Sequence, residues 1–380
     1  MRPCAPDSKC KITCEMNVVL YIAWGLLVAA WLAALALLQR PIRARGRILP
    51  RILLAVGKCF LGTLVAFGVV VGDAPLPYWT IFALAASYVA LFGDAVADLL
   101  ALIVGQASKK MNRSRLQIAL SIACTAAFLL FGTINMQTVS ANHVEASSSK
   151  LASPHTFVFV ADLHVGSAQS MQTTRQTIQR IGAEEADFVV LGGDIVDAFT
   201  TREEMEETFA LFGAVKAPVY FIYGNHDRQM DRPSAERAFT PEELEQAMRA
   251  NGIHILQDEW ARISDDLVLL GREDYSMPSR KDVGQIAPRP DDAFVLLADH
   301  SPYETQDMVA SGADLQISGH SHAGQLFPLQ AVYSLAGYDA YGFFRHGETE
   351  LYVSSGASGW CFPFRTEEGC HYEVVSLQPA

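Results

Sequence analysis

Leu315-Gln-Ile-Ser-Gly-His-Ser-His322 is the stretch on which the reading of this chain turns. Leu315–Ile317 reads as a short strand, and Gly319 opens a loop that can aim both imidazoles at one site. Four more motifs of the same design precede it: Asp162-Leu-His164, Gly193-Asp194-Ile-Val-Asp197, Gly224-Asn225-His226-Asp227 and Asp299-His300-Ser-Pro302. Each follows a short apolar run: Phe157–Val160, Phe188–Leu191, Val219–Tyr223 and Phe294–Leu297. Any one of them alone is an ordinary turn. Together they deliver carboxylates, imidazoles and an amide to the ends of successive strands, as a site for two metal ions requires.

Helical patterns fill the gaps between the first strands. Thr173–Ile181 and Arg202–Phe212 read as helices, and Thr240-Pro241-Glu242-Glu243 is a capping-box start with proline at the first helical position. That helix runs to about Ala250, Asn251-Gly252 ends it, and Ile253–Leu256 reads as the next strand. Leu267–Leu270 and Leu351–Val353 add further strands, so alternation gives way to strands in the last third. The order predicts an α/β fold, a layered sandwich of mixed β-sheets flanked by helices, with the ligands converging on one sheet edge.

The N-terminal part predicts a four-helix transmembrane module. Apolar stretches at about 17–39, 48–72, 78–104 and 116–135 are each long enough to cross a hydrocarbon core of roughly 30 Å. Domain boundaries follow as 1–136 for this module, a small, polar, serine-rich linker over 137–155, and a catalytic domain over 156–380. Asp94 and Asp98 interrupt the third stretch; they share a helical face turned toward the bundle or an interface, and no basic partner is evident. Arg40, Arg43, Arg45, Arg47 and Arg51 load one loop, and Lys109, Lys110, Arg113 and Arg115 another, whereas Asp73–Pro77 carries no positive charge. The positive-inside rule then predicts a multi-pass membrane protein with an extracytoplasmic catalytic domain, although Arg2, Lys9 and Lys11 would lie outside too.

Charge splits in the same place. Residues 1–140 carry 13 Lys/Arg and 5 Asp/Glu, while the remainder carries 16 and 36, a net of +8 against −20. A domain at −20 is a poor partner for nucleic acid, which needs clustered Lys/Arg. Among the cysteines, Cys59 and Cys124 fall in apolar stretches, Cys4, Cys10 and Cys14 cluster at the N-terminus, and a Cys361–Cys370 bridge is feasible only in an oxidising compartment. No Cys-x-x-Cys pair, phosphate-cradling Gly-x-x-x-x-Gly-Lys or nucleophile elbow is present, so zinc-ribbon, ATP-driven and serine-hydrolase chemistry are unsupported.

The five motifs in this order resemble the calcineurin-like metallophosphoesterase superfamily. Gly319-His-Ser-His-Ala-Gly-Gln325, Tyr352-Val-Ser-Ser-Gly356 and Pro363-Phe-Arg365 are similar to its membrane-anchored YkuE/YaeI-type phosphodiesterase branch. The resemblance covers about 155–375 and leaves the N-terminal helices out. It implies that Asp162, His164 and His322 hold one metal, that Asp194 bridges to a second, and that Asn225, His300 and His320 complete the second. The ions would be divalent Mn, Fe, Zn or Co, with metal-bound hydroxide attacking a phosphomono- or phosphodiester. His226 would serve the leaving group or the phosphoryl charge with Asp227 orienting it, and Asp197 would fix a ligand. The expected partners are a phosphoester substrate, possibly lipid-linked, and the bilayer. The alternatives are a lipid-diphosphate hydrolase such as a UDP-diacylglucosamine pyrophosphatase-like enzyme, and a non-catalytic metal-dependent binding module. Arg272 and Arg365 stay open between phosphate contacts and structural salt bridges.

Overall fold

The computed structural model describes residues 31–32, 34–36, 39, 48–70, 78–107, 113–230, 232–286, 292–360 and 364–380. The chain divides into two compact units, Met1–Phe131 and Gly132–Ala380.

In the N-terminal unit, α1 (Ile48–Val70), α2 (Tyr78–Ala107) and the start of α3 (Arg113–Gln137) are apolar helices. Each contains a stretch long and apolar enough to cross a membrane: Ile48–Ala66, Ala83–Val104 and Arg115–Gln137. The expected first stretch, 17–39, lies almost wholly outside the described residues, as do Cys4, Cys10, Cys14, Asp73–Pro77 and Lys109–Lys110. Buried residues make up 67% of the α2 stretch against 17% and 22% for the other two, which makes α2 the inner helix. Leu49, Leu53, Val56 and Phe60 of α1 and Ile118, Ile122 and Leu130 of α3 are exposed, an arrangement suited to lipid and not to water.

One expectation fails here. Asp94 and Asp98 do have a basic partner, supplied by α1. Lys58 Nζ lies 2.6 Å from Asp94 Oδ2 and also pairs with Asp98 Oδ2. Gln117 Nε2 donates to Asp98 Oδ1 at 2.9 Å, and Ser121 Oγ donates to Asp94 Oδ1. Lys58 precedes the carboxylates by 36 and 40 residues, so helical spacing could not reveal it.

The C-terminal unit is a two-sheet sandwich. Its strands are β1 (Val139–Ser148), β2 (His155–Val160), β3 (Phe188–Leu191), β4 (Val219–Phe221), β5 (His254–Ile255), β6 (Glu259–Arg262), β7 (Leu267–Gly271), β8 (Phe294–Ala298), β9 (Leu315–Ser318), β10 (Gly342–His346), β11 (Thr349–Val353) and β12 (Cys370–Pro379). One sheet runs β1-β12-β2-β3-β4-β5 and the other β10-β11-β9-β8-β7-β6. Both are mixed: β2 through β5 are parallel, as are β7, β8, β9 and β11, and antiparallel pairs β12–β2, β10–β11 and β6–β7 lie toward the edges.

Strand periodicity explains the layers. Phe157 and Phe159 point one way with Phe188 and Val190, meeting Leu267, Leu269, Leu296 and Ile317 of the second sheet. Val158, Val160, Val189 and Leu191 point the other way, onto helices α4 (Met171–Ile181), α5 (Arg202–Gly213) and α6 (Pro241–Ala250) through Ile178, Phe209, Phe212 and Met248. Val268, Leu270, Val295 and Leu297 cover the outer face of the second sheet with Met308 of α7 (Thr305–Ser311). Strands buried on both faces must be continuously apolar, which is how these runs read. Each buried Phe contributes about 1.5–3 kcal/mol by leaving water. Both capping boxes, Thr201 with Glu204 and Thr240 with Glu243, fix helix starts on the first sheet's outer layer.

The stretch expected to be a linker, 137–155, is largely β1. It pairs in parallel with β12 from Val139↔Cys370 to Ser148↔Pro379. Its serine-rich composition suits an edge strand, where the backbone ladder and a few anchors, such as Asn142 Nδ2 donating to Tyr352 Oη at 2.7 Å, supply the order. Cys370 is a buried free thiol, and Cys361 lies outside the described residues.

Candidate metal centre

All five motifs occupy turns that follow strands of the two sheets. Asp162-Leu-His164 follows β2, Asp194 follows β3, Asn225-His226-Asp227 follows β4, His300 follows β8 and His320-Ser-His322 follows β9. Parallel neighbours end at the same level, so these turns meet. Asp162 N–H donates to Gly193 O at 3.0 Å and His164 N–H to Asp194 O at 3.0 Å.

Two groups of ligand-type side chains result. Asp162, His164 and His322 form one; Asp194, His300 and His320 form the other. In each, the ligating atoms lie within 4.8 Å of one another. Asp194 touches both, with Oδ2 3.1 Å from His300 Nε2 and 3.8 Å from His164 Nε2.

Hydrogen bonds fix which imidazole nitrogen faces inward. His164 Nδ1 is held by Asp197 Oδ2 at 3.1 Å, His300 Nδ1 by Gly192 O at 2.8 Å, and His322 Nδ1 by Ser358 O at 3.1 Å. A proton on each Nδ1 leaves Nε2 as the free lone pair, the tautomer a metal ligand needs. The residues present fit divalent ions. His164 Nε2 and Asn225 Oδ1 are buried without hydrogen-bond partners, and His320 Nδ1 faces His300 Nε2 at 3.3 Å. Buried polar atoms are seldom left so, and a set of nitrogens and oxygens without sulfur suits Mn, Fe, Zn or Co.

Burial and neighbouring charges shift the titratable groups of the cluster strongly. Burial opposes the charge on His164, yet the Asp197 hydrogen bond and the Asp194 charge lift its imidazole to about 9. Burial and the neighbouring His300 push His320 down to about 3. Burial raises Asp162, while His300 beside Asp194 holds that carboxyl well below the usual range despite its burial.

Backbone geometry is strained at the ligand-type residues themselves. Asp162, His164, Asp194, His320 and His322 have φ of 54°, 42°, 52°, 72° and 49°. Non-glycine residues adopt such angles rarely, at a cost of order 1–3 kcal/mol each, and they gather at functional sites. Gly193, at φ 86°, allows a close approach: a Cβ there would stand 2.5 Å from Gly224 N and 2.8 Å from His300 Nδ1.

His226 borders the first group, its ring centroid 5.5 Å from that of His164, and its N–H donates to Asp194 Oδ1 at 2.8 Å. Asp227 departs from its expected role of orienting His226. Its Oδ2 accepts from Gly224 N–H and Asp194 N–H at 2.7 and 2.9 Å, and its Oδ1 from Ile195 N–H and Val196 N–H at 2.9 and 3.2 Å. Four backbone donors saturate this carboxyl, so it clamps the Asp194 turn.

Arg365 and Arg272, left open by the sequence, are both fully buried and structural. Arg365 donates to His322 O at 2.8 Å, Ser355 O at 2.6 Å and Ser358 O at 2.8 Å, tying down the His322 loop. Arg272 pairs with Asp258 at 2.9 Å. Sequence reasoning missed Trp360, whose ring lies 5.6 Å from that of His226 at 22°, and Tyr303, 5.1 Å from His320 at 88°. Neither stands in a motif, so no signal in the chain could have singled them out.

The pattern that defines calcineurin-like phosphoesterases matches residues 155–324, the segment that carries both groups of ligand-type residues. Residues 155–324 are a calcineurin-like phosphoesterase domain. Relatives of the phosphoesterase domain include a Helicobacter pylori metallophosphoesterase, 29% identical over 221 residues, 55% of each chain. A Bos taurus transmembrane protein with a metallophosphoesterase domain is 26% identical over 307 residues, 74% of this chain and 68% of that one. The Escherichia coli phosphodiesterase YaeI is 25% identical over 248 residues, 60% of this chain and 83% of that one. The chain thus spans about half the length of the Helicobacter relative.

Proposed function

We propose that this chain is a membrane-anchored phosphodiesterase working with two divalent metal ions. Asp162, His164 and His322 would hold one ion, Asn225, His300 and His320 the other, with Asp194 shared. The observation that carries the reading is the pair of buried carboxylate–imidazole groups joined through Asp194. Such a metal pair supplies an ionised water nucleophile and neutralises phosphoryl charge. The chain's own residues do the rest. Asp197, Gly192 O and Ser358 O keep three imidazoles in the ligating tautomer. His226 stands beside the groups to donate a hydrogen bond to a phosphoryl or leaving-group oxygen. Asp227 holds the Asp194 turn rigid through four backbone bonds.

A diester fits better than a monoester. The arginines around the site are already engaged: Arg228 with Glu273 at 2.9 Å, Arg280 with Asp299 and Glu304 at 2.6 and 2.5 Å, Arg272 with Asp258, and Arg365 with backbone carbonyls. None of these offers an open charge for the second anion of a monoester. The basic loops of the N-terminal half support a multi-pass protein with residues 156–380 outside the cytoplasm. The name of the Escherichia coli relative, a phosphodiesterase, agrees with the reading.

The test uses the full chain in detergent. We expect about two equivalents of transition metal per chain, faster turnover of bis(4-nitrophenyl) phosphate than of 4-nitrophenyl phosphate, and a loss of at least about a thousandfold in Asp194→Asn. Undiminished turnover in that variant, or after chelation, would overturn the proposal.

A further inference from the structure

The His320 side of the centre carries an aromatic border that no ligand role explains. Tyr303 and Tyr275 both contact His320 edge to face, with ring centroids 5.1 and 6.0 Å away. Tyr275 meets Tyr303 at 6.1 Å and 89°, and Tyr303 meets Tyr338 at 6.0 Å and 74°. Tyr333 extends the chain from Tyr338 at 6.4 Å. Four tyrosines from three separate segments, the loop after β7, the loop after β8 and the helix α8 (Leu329–Leu335) with its following turn, therefore form one wall that starts on a ligand-type histidine and runs outward.

Core packing does not account for this wall. Tyr275, Tyr303 and Tyr338 are 42%, 44% and 55% exposed. Aromatic rings that interlock with one another yet stay half in water, next to a polar centre, are the anatomy of a ligand pocket wall. The wall is also uncharged, and the nearby Arg280 is neutralised by Asp299 and Glu304. A second phosphate or a carboxylate would find phenolic hydroxyls there but no open cation. A flat ring would find faces and edges in the perpendicular arrangement that aromatic groups favour.

We propose that Tyr275, Tyr303 and Tyr338 form the subsite for the ester group that stays on phosphorus, and that it selects phosphodiesters in which that group is a flat ring. The proposal rests on the phosphodiesterase reading above and names the substrate class of that same site. Tyr303 is the inner contact, one ring from His320, and Tyr338 the outer one.

Three diesters sharing a 4-nitrophenolate leaving group test it: phenyl, cyclohexyl and methyl 4-nitrophenyl phosphate, with kcat/KM divided by the uncatalysed rate of each. The metal-loaded full chain should prefer phenyl over methyl by several-fold, up to about tenfold, the range one good aromatic contact supplies. Tyr303→Ala and Tyr338→Ala should each bring that ratio toward one, chiefly through KM, while Tyr303→Phe keeps it. Because Tyr338 is an exposed ring, its variant reports even where Tyr303→Ala fails to fold. Equal rates for phenyl and methyl in the wild type, an unchanged ratio in both alanine variants, or cyclohexyl preferred as strongly as phenyl would each overturn the ring subsite while leaving the phosphodiesterase reading intact. No turnover of any of the three would overturn that reading, and the subsite with it.

Discussion

Two clusters of buried charge in this protein solve the same problem in opposite ways. In the helical unit, Asp94 and Asp98 are closed by Lys58, Gln117 and Ser121, so all four carboxylate oxygens have partners within the fold. In the phosphoesterase domain, Asp162 and Asp194 face imidazoles whose inward nitrogens are unsatisfied or oppose one another, as at His164 Nε2 and between His300 and His320. Burying a carboxylate is costly unless a cation compensates it. The first cluster carries its own cation and is complete. The second leaves donor atoms converging on shared space, and it is the one that can take ions from solution. A self-satisfied cluster holds helices together; an unsatisfied one can do chemistry.

Removing the internal cation should break this contrast most severely. Lys58→Met would leave two carboxylates in an apolar interior, at a cost of about 3–5 kcal/mol, whereas Lys58→Met combined with Asp94→Leu and Asp98→Leu should recover most of it. Denaturant titration of the detergent-solubilised chain measures both; equal stability of the single variant and wild type would refute the account. Turnover per folded molecule should not change, since the cluster's role is packing.

A smaller effect sharpens the other side. Asp197→Ala frees His164 Nδ1 and should weaken metal binding by about 10–100-fold with the fold intact. Competition with a calibrated chelator reads this directly, and unaltered affinity would remove Asp197 from the tautomer argument.

A pH effect tests another buried carboxyl, one whose hydrogen-bond partner is a neutral hydroxyl. Glu373 accepts from Ser354 Oγ at 2.8 Å, and burial pushes it up to about 8. Its folded pKa lies above its unfolded value, so the native state binds more protons between about 4.5 and about 8. Stability should therefore fall as pH rises through that window, by at most roughly 1.4 kcal/mol per unit. Glu373→Gln should flatten the slope of melting temperature against pH; a slope identical to wild type would show that Glu373 is ionised at lower pH than its burial dictates.

Much of the domain was legible because its chemistry is local. Apolar runs such as Phe157–Val160 and Phe188–Leu191 state their double-sided burial in their composition, and the Thr240–Glu243 capping box is a four-residue signal. Strand β1 was not legible, since Val139–Ser148 is ordered by a backbone ladder to β12 more than two hundred residues away. Asp227 illustrates the same limit at the site. Adjacency to His226 suggested an orienting role, but the donors that saturate it come from Gly224 and from the turn over 194–196.

By itself, the sequence determined that carboxylates and imidazoles stand at the ends of apolar strands, and that a charged, catalytic-looking half follows an apolar one. Those are properties of residue type and spacing along the chain. Tertiary structure alone decided which atoms meet: Lys58 with Asp94 and Asp98, Asp194 between two imidazole groups, and four tyrosines on one side of His320. The reason is that charge compensation and ring contacts act across distances of a few ångströms, and helix packing and sheet register, not the spacing of residues, set those distances.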